Sequence, residues 1–222
     1  MMRLPPVAKG ALLAMVAVVA ALSVWFGSQA AWADAQTLES RWLVSQWRAG
    51  QAPAVTPELW NQARENLQSA VAITPNNPHL FDDLGFLYAS RAQAFGTQPV
   101  GTAAWTYQQA LLEQAQDSYR SAAVLRPNFP YSWLYLALAK HLQGQHDAEF
   151  WQSFDKAYAY GNTEAAAQPT LALMAFANWA DLGSDRQARV ATMVATAQSH
   201  VADSLRTQAL RAGIALPTSA AL

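Results

Sequence analysis

Apolar positions recur along most of this chain at steps of three and four, the period that returns a helix to one face. Ala63, Leu67 and Ala70 form one such stripe, and Ala115, Tyr119 and Ala122 repeat it 52 residues later. Two small residues around a large one let a neighbouring helix approach closely. Leu38, Trp42 and Leu43 fall at helical spacing in the segment 34–49, and residues 57–73 supply a partner helix. Further helical stretches cover 168–181 and 185–200 around Gly183, with another at 201–212. The N-terminus reads differently. From Gly10 to Ala33 there is no charged residue, whereas Arg3 and Lys9 precede the run. An apolar helix of that length crosses a bilayer, and preceding positive charge holds its start in the cytoplasm. Trp25 and Phe26 suit the interfacial belt of a retained anchor, while Ala31-Trp32-Ala33 also fits a signal-peptidase site; both readings export residues 34–222.

Each stripe leads into the same phrase. Pro75-Asn76-Asn77-Pro78 and Pro127-Asn128-Phe129-Pro130 end one helix and open the next, because proline cannot continue a helix but fits its first turn. After the first phrase come Phe81, Leu84, Gly85 and Tyr88; after the second come Trp133, Leu136 and Ala137. This order resembles the tetratricopeptide repeat, with W-x2-L-G-x2-Y in its first helix and A-x3-F in its second. The spacing departs from the usual period of about 34 residues: roughly 18 extra residues lie between Gly85 and Ala115. The stretch "FGTQPVGTAAW" is read as a protruding turn with both helices extended towards it. A third repeat runs from Trp133 through Gly144 to Phe154 and Ala157 and lacks the closing proline.

The expected fold is therefore all-α, a tetratricopeptide-like right-handed helical-hairpin solenoid preceded by a single transmembrane helix. Residues 1–33 form the anchor or signal peptide, and 34–212 the repeat domain. Its units are 34–77, 78–129, 130–162 and a degenerate 163–200, with a cap at 201–212 and a tail at 213–222.

Composition removes several chemistries. A formal net charge of −1 with only three lysines gives no basic face for nucleic acid, and the absence of cysteine removes disulfides, thiolate metal ligands and a cysteine nucleophile. No phosphate-cradling loop, HExxH helix or GxSxG elbow is present, and no cofactor is expected. His141 and His146 straddle Gly144 and do not share a helical face, so neither a histidine pair nor a metal site is predicted there. Asp82 and Asp83 are expected to serve the positive end of a helix dipole. A glycan-cleaving enzyme would need a separate pocket, for which no long segment is left over. Nine tryptophans are read mostly as core or interface, including Trp42 and Trp47; Trp105, beside the Gly96 to Gly101 loop, is the candidate exposed aromatic.

The resemblance to tetratricopeptide proteins implies a concave groove lined by first helices that holds another protein. The matching positions are His79, Asp82, Phe86 and Ser90, then Tyr131, Leu134, Tyr135, Leu138 and His141. An alternative occupant is the segment after residue 200, folded into the groove. The layout and the opening "SRWLVSQWRAG" are also similar to the VpsP-like exopolysaccharide biosynthesis family. These resemblances imply a non-enzymatic scaffold in the inner membrane with a periplasmic domain, protein partners in an envelope or polysaccharide-synthesis assembly, and neither metal nor nucleic acid. Alternatives are an assembly factor of another envelope system, such as cytochrome maturation, and a glycan-binding helical repeat.

Overall fold

The computed structural model describes residues 6–51 and 55–216. Arg3 and the end of the tail lie outside the described residues. Among those described there are nine helices and no strand. They divide into two compact units, residues 1–80 and 81–222.

In the first unit α1 (Pro6–Arg48) packs on α2 (Pro57–Ile73). No break separates an anchor from a repeat helix at residue 33, because nothing between Gly27 and Arg48 interrupts an Ala-, Leu- and Gln-containing run with good helix propensity. One helix of 43 residues, about 65 Å long, results. Its first half is exposed and is long and apolar enough to cross a membrane, a test that a signal sequence also passes. Its second half buries Ala33, Thr37, Ser40 and Val44 against α2. From α2 come Trp60, Ala63, Leu67 and Ala70, so the small-large-small stripe is the contact face. Asn66 donates to Ser40 Oγ across that seam at 3.1 Å. Leu38 and Trp42 point elsewhere and are 73% and 57% exposed, so Trp42, read with the core or interface tryptophans, is not in the core. Close approach to Ala63 and Ala70 selects the small side of α1 and leaves its bulky side outward.

The first residues of α3 (Pro78–Gln93) belong to this unit and the rest to the second. The second unit continues with α4 (Ala103–Leu125), α5 (Pro130–Leu142), α6 (Ala148–Gly161), α7 (Gln168–Ala177), α8 (Gly183–Thr196) and α9 (Ser199–Arg211). Gly85 on α3 faces Tyr119 on α4 so closely that an added Cβ would meet the ring at 2.7 Å, which is why the repeat carries glycine at this point. The helices of this pair, 16 and 23 residues, are longer than α5 and α6 at 13 and 14, and the loop 94–102 joins them. The α5–α6 hairpin packs on α4 and on α7, around a core of Leu134, Phe150, Phe154, Leu171, Met174 and Leu205. The last helix, α9, buries Val201, Ala202, Leu205 and Ala209 and seats on α7 and α8; among the described residues no Cα of α9 lies within 8 Å of a Cα of α5.

Candidate functional site

Tyr131, Tyr135 and Leu138 sit four and then three residues apart on α5 and share one half-buried face. The rings of Tyr131 and Tyr135 lie 6.3 Å apart and are tilted by 30° to one another. The row extends both ways: Phe129 stands 5.4 Å from Tyr131, and Tyr119 on α4 stands 5.5 Å from Tyr135. The guanidinium of Arg126 covers the Phe129 ring at 4.0 Å. Burial, helped by Glu164 and Tyr135, raises the Tyr131 pKa, so its hydroxyl stays a neutral hydrogen-bonding group.

Asp82 holds this end of the helix in place. It pairs with Arg126 and accepts from Ser132 Oγ at 2.8 Å, joining α3, the turn after α4 and the start of α5. Its carboxylate is thus occupied by a cation and a hydroxyl, and it lies in the second turn of α3 rather than at the dipole end expected for it. Ser90 donates to Leu87 O at 3.1 Å within its own helix, and Phe86 is half-buried. His79 is exposed in the first unit, where its backbone N–H donates to Asn77 Oδ1 at 3.1 Å. Leu134 is 1% exposed and belongs to the core, so a partner cannot reach it. The correction has a simple cause: α7 packs on α5 from the side where Leu134 projects, and covers it.

At the other end of α5 the turn around Gly144, with φ +72°, folds back. It brings His141 Nδ1 within 3.0 Å of His146 Nε2 although the two do not share a helical face. Asn178 Nδ2 approaches the same His141 nitrogen at 3.3 Å, and Phe150 stacks beneath the ring. Burial and then the neighbouring His146 lower the His141 pKa, which favours the neutral ring. No group of three or more His, Cys, Asp or Glu able to hold a metal occurs among the described residues.

A charge cluster that sequence reasoning missed joins α4, α5 and the start of α6. Lys140, with a 4% exposed side chain, donates to Glu149 at 2.9 Å and lies 3.0 Å from Asp147. Arg120 grips Glu149 with two nitrogens, at 2.6 and 2.9 Å. That two-pronged grip outweighs burial and, with Lys140, holds the Glu149 pKa down to about 2. Burial opposes the Lys140 charge, but its two carboxylate partners prevail and raise its pKa. The cluster fixes the α5–α6 hairpin on α4. Its only sequence signal was an apolar helix carrying a lysine between Ala139 and His141, which demands a buried counter-ion. Trp105 stands apart from all this, half-buried in the wall of a separate cavity.

Comparison with known proteins agrees with this architecture. A thermophilic tetratricopeptide protein of Thermus thermophilus superposes with a TM-score of 0.54 over 81% of this chain and 80% of its own, at 22% identity. The chain therefore has a tetratricopeptide-like helical-hairpin fold. No family model matches it, and no curated protein does.

Proposed function

We propose that this chain is a membrane-anchored scaffold whose repeat domain, residues 34–212, holds a protein partner. The observation that carries the reading is the aromatic row on α5, open to solvent in part and left uncovered by the C-terminal helix α9. Rigid aromatic faces with polar tips are the side chains that dominate protein interfaces, because they bury large area at little entropic cost. Phe86, Tyr131, Tyr135, Leu138 and His141 are the contact residues; Asp82 and Leu134 hold them from behind. The arrangement offers flat apolar faces and neutral hydrogen-bonding groups, which suits association. The apolar half of α1 is the anchor, and Lys9 before it favours a cytoplasmic start for the helix and periplasmic repeats. An envelope assembly, including one that makes or exports exopolysaccharide, is the setting that this topology and the sequence resemblance support.

Both parts are open to direct test. The natural chain has no cysteine, so single cysteines at Gln208 and Ser28 report topology with a membrane-impermeant maleimide. Labelling of Gln208→Cys in intact cells is expected; labelling only after lysis reverses the orientation. For the partner, a photo-crosslinking amino acid replacing Tyr135 should trap one discrete protein. Tyr131→Ala with Tyr135→Ala should reduce co-purification of that protein at least about tenfold. Undiminished co-purification would remove the α5 face from the site.

A further inference from the structure

The loop 94–102, the helices on either side of it and Leu142 of α5 line a half-open cavity of about 390 Å³ in the second unit, away from the aromatic row of α5. That is small-molecule size, near the lower end of the range of about 300–1,000 Å³ found for ligand pockets. Its lining is unusual for a surface cleft. Trp105 forms one wall, four carboxamides, Gln93, Gln98, Gln108 and Gln109, surround it, and Leu112 closes the base; none of the lining residues is charged.

The cavity is built rather than left by a slack loop. Gln108 reaches back and donates to both Ala92 O and Gly96 O at 2.9 Å, tying the loop to the end of α3. Gln98 donates to Phe95 O, and Phe95 meets Tyr107 edge-on at 5.5 Å. Gly96 and Gly101 take the left-handed conformation, with φ of +62° and +84°, that lets so short a connection turn twice. Thr102 caps α4 by accepting from the Trp105 backbone N–H at 3.1 Å, which sets where the indole stands. Two carboxamides are committed to the loop, whereas the side chains of Gln93 and Gln109 and the indole N–H of Trp105 have no hydrogen-bond partner among the described residues.

These groups define the chemistry of an occupant. An ionic ligand would lose its hydration and find no counter-charge. A purely apolar one would strand the carboxamides. A carboxamide both donates and accepts, as a hydroxyl does, and an indole face matches a flat patch of C–H bonds. A molecule with an apolar face and a rim of neutral hydroxyls satisfies all of them together. We propose that this cavity binds a neutral saccharide, with Trp105 stacked on a sugar face and Gln93 and Gln109 bonded to its hydroxyls.

The test is calorimetric titration of the full chain in lipid nanodiscs, free of sugar-headed detergent. The probes are neutral oligosaccharides of glucose, galactose, mannose and N-acetylglucosamine, with an oligogalacturonate as the acidic comparison. Saturable binding of one neutral probe per chain is expected. Trp105→Ala should weaken it at least about tenfold, the loss of one aromatic contact. Gln109→Ala should weaken it less, and Tyr131→Ala should leave it unchanged. Gln93 is exposed, so Gln93→Ala keeps the fold and supplies a second reading if Trp105→Ala unfolds. Preference for the acidic probe, no binding of any neutral probe, or affinity untouched by Gln93→Ala and Gln109→Ala together would each overturn the assignment.

Discussion

After α2 the backbone turns through Thr74 at φ −127° and ψ 70°; after α4 it turns through Arg126 at φ −135° and ψ 71°. Each of these residues donates its N–H to an alanine carbonyl four residues back, to Ala70 at 2.8 Å and to Ala122 at 3.0 Å. Asn77 N–H closes the first turn on Thr74 O at 3.1 Å, and Phe129 N–H closes the second on Arg126 O at 3.0 Å. The two prolines and the asparagine therefore specify one backbone path twice. The two variable positions decide what else the turn does. At the first turn they are Thr74, whose hydroxyl returns to Ala70 O, and Asn77, which caps the N–H of His79. At the second they are Arg126 and Phe129, which reach outward to Asp82 and to Tyr131. The same connector is a plain turn in one place and a brace for the aromatic row in the other.

Removing the brace gives the largest expected difference. Arg126→Ala leaves Asp82, with a side chain 14% exposed, without this cation, and it strips the same cation from Phe129. Urea unfolding of the full chain in detergent, followed by circular dichroism, should show a loss of about 2–3 kcal/mol. Thr74→Ala removes only a local hydroxyl bond and should stay within about 0.5 kcal/mol. Equal losses at the two turns would mean that the brace carries no net stability. Because Arg126 also positions Phe129 and Tyr131, Arg126→Ala should weaken crosslinking through Tyr135 as well.

Much of this was legible in the residues themselves. The proline phrases set the starts of α3 and α5, and the stripes Ala63, Leu67, Ala70 and Ala115, Tyr119, Ala122 are buried because the same two periods that mark a helix mark its contact face. That Tyr131, Tyr135 and Leu138 share a face follows from their spacing. What stayed hidden depends on which element arrives against which side. Leu134 looks like its neighbours until α7 covers it. Leu38 and Trp42 look like a core until α2 chooses the small side of α1. The Asp82–Arg126 pair spans 44 residues and the Arg120–Glu149 pair 29, separations at which charge pairing cannot be read from one sequence. His141 and His146 meet through a turn that periodicity does not describe.

Acid sharpens the contrast between the two regions. On the α4–α6 side Glu149 is held at a pKa of about 2, well below the ordinary carboxylate value of 4.5. Asp155 is also lowered, since its hydrogen bonds from Arg186 and Arg189 outweigh the opposing effect of burial. A carboxylate whose pKa is depressed on folding contributes stability above its unfolded value, and loses it as pH falls towards the folded one. The urea midpoint should thus be flat above about pH 5 and fall between about pH 4.5 and 2. Glu149→Gln should lower the plateau and remove part of the slope. On the α1–α2 side the carboxylates of the described ion pairs, Arg41 with Asp34 and Arg64 with Glu65, are exposed, and such surface pairs add little stability. Amide-exchange protection in α5 and α6 is therefore expected to fall with acid before that in α2; the reverse order would contradict the assignment.

The smallest effect tests the phrase itself. Pro78 and Pro130 both open a helix, where proline lacks only an N–H the helix would leave unpaired. Replacing either by alanine frees the unfolded chain and should cost about 0.4–1 kcal/mol. Pro130 carries one more duty. It lies against Gly161, where an added Cβ would stand 2.8 Å from the Pro130 ring, so the start of α5 and the end of α6 meet through a glycine and a proline. Pro130→Ala keeps the Cβ nearest Gly161 but removes Cγ, which the same added Cβ would meet at 3.5 Å, and should bring the total to about 1–1.5 kcal/mol, while Pro78→Ala stays at the lower figure. If the two substitutions cost the same, the contact at Gly161 adds nothing, and the second turn owes its extra stability to Arg126 and Phe129 alone.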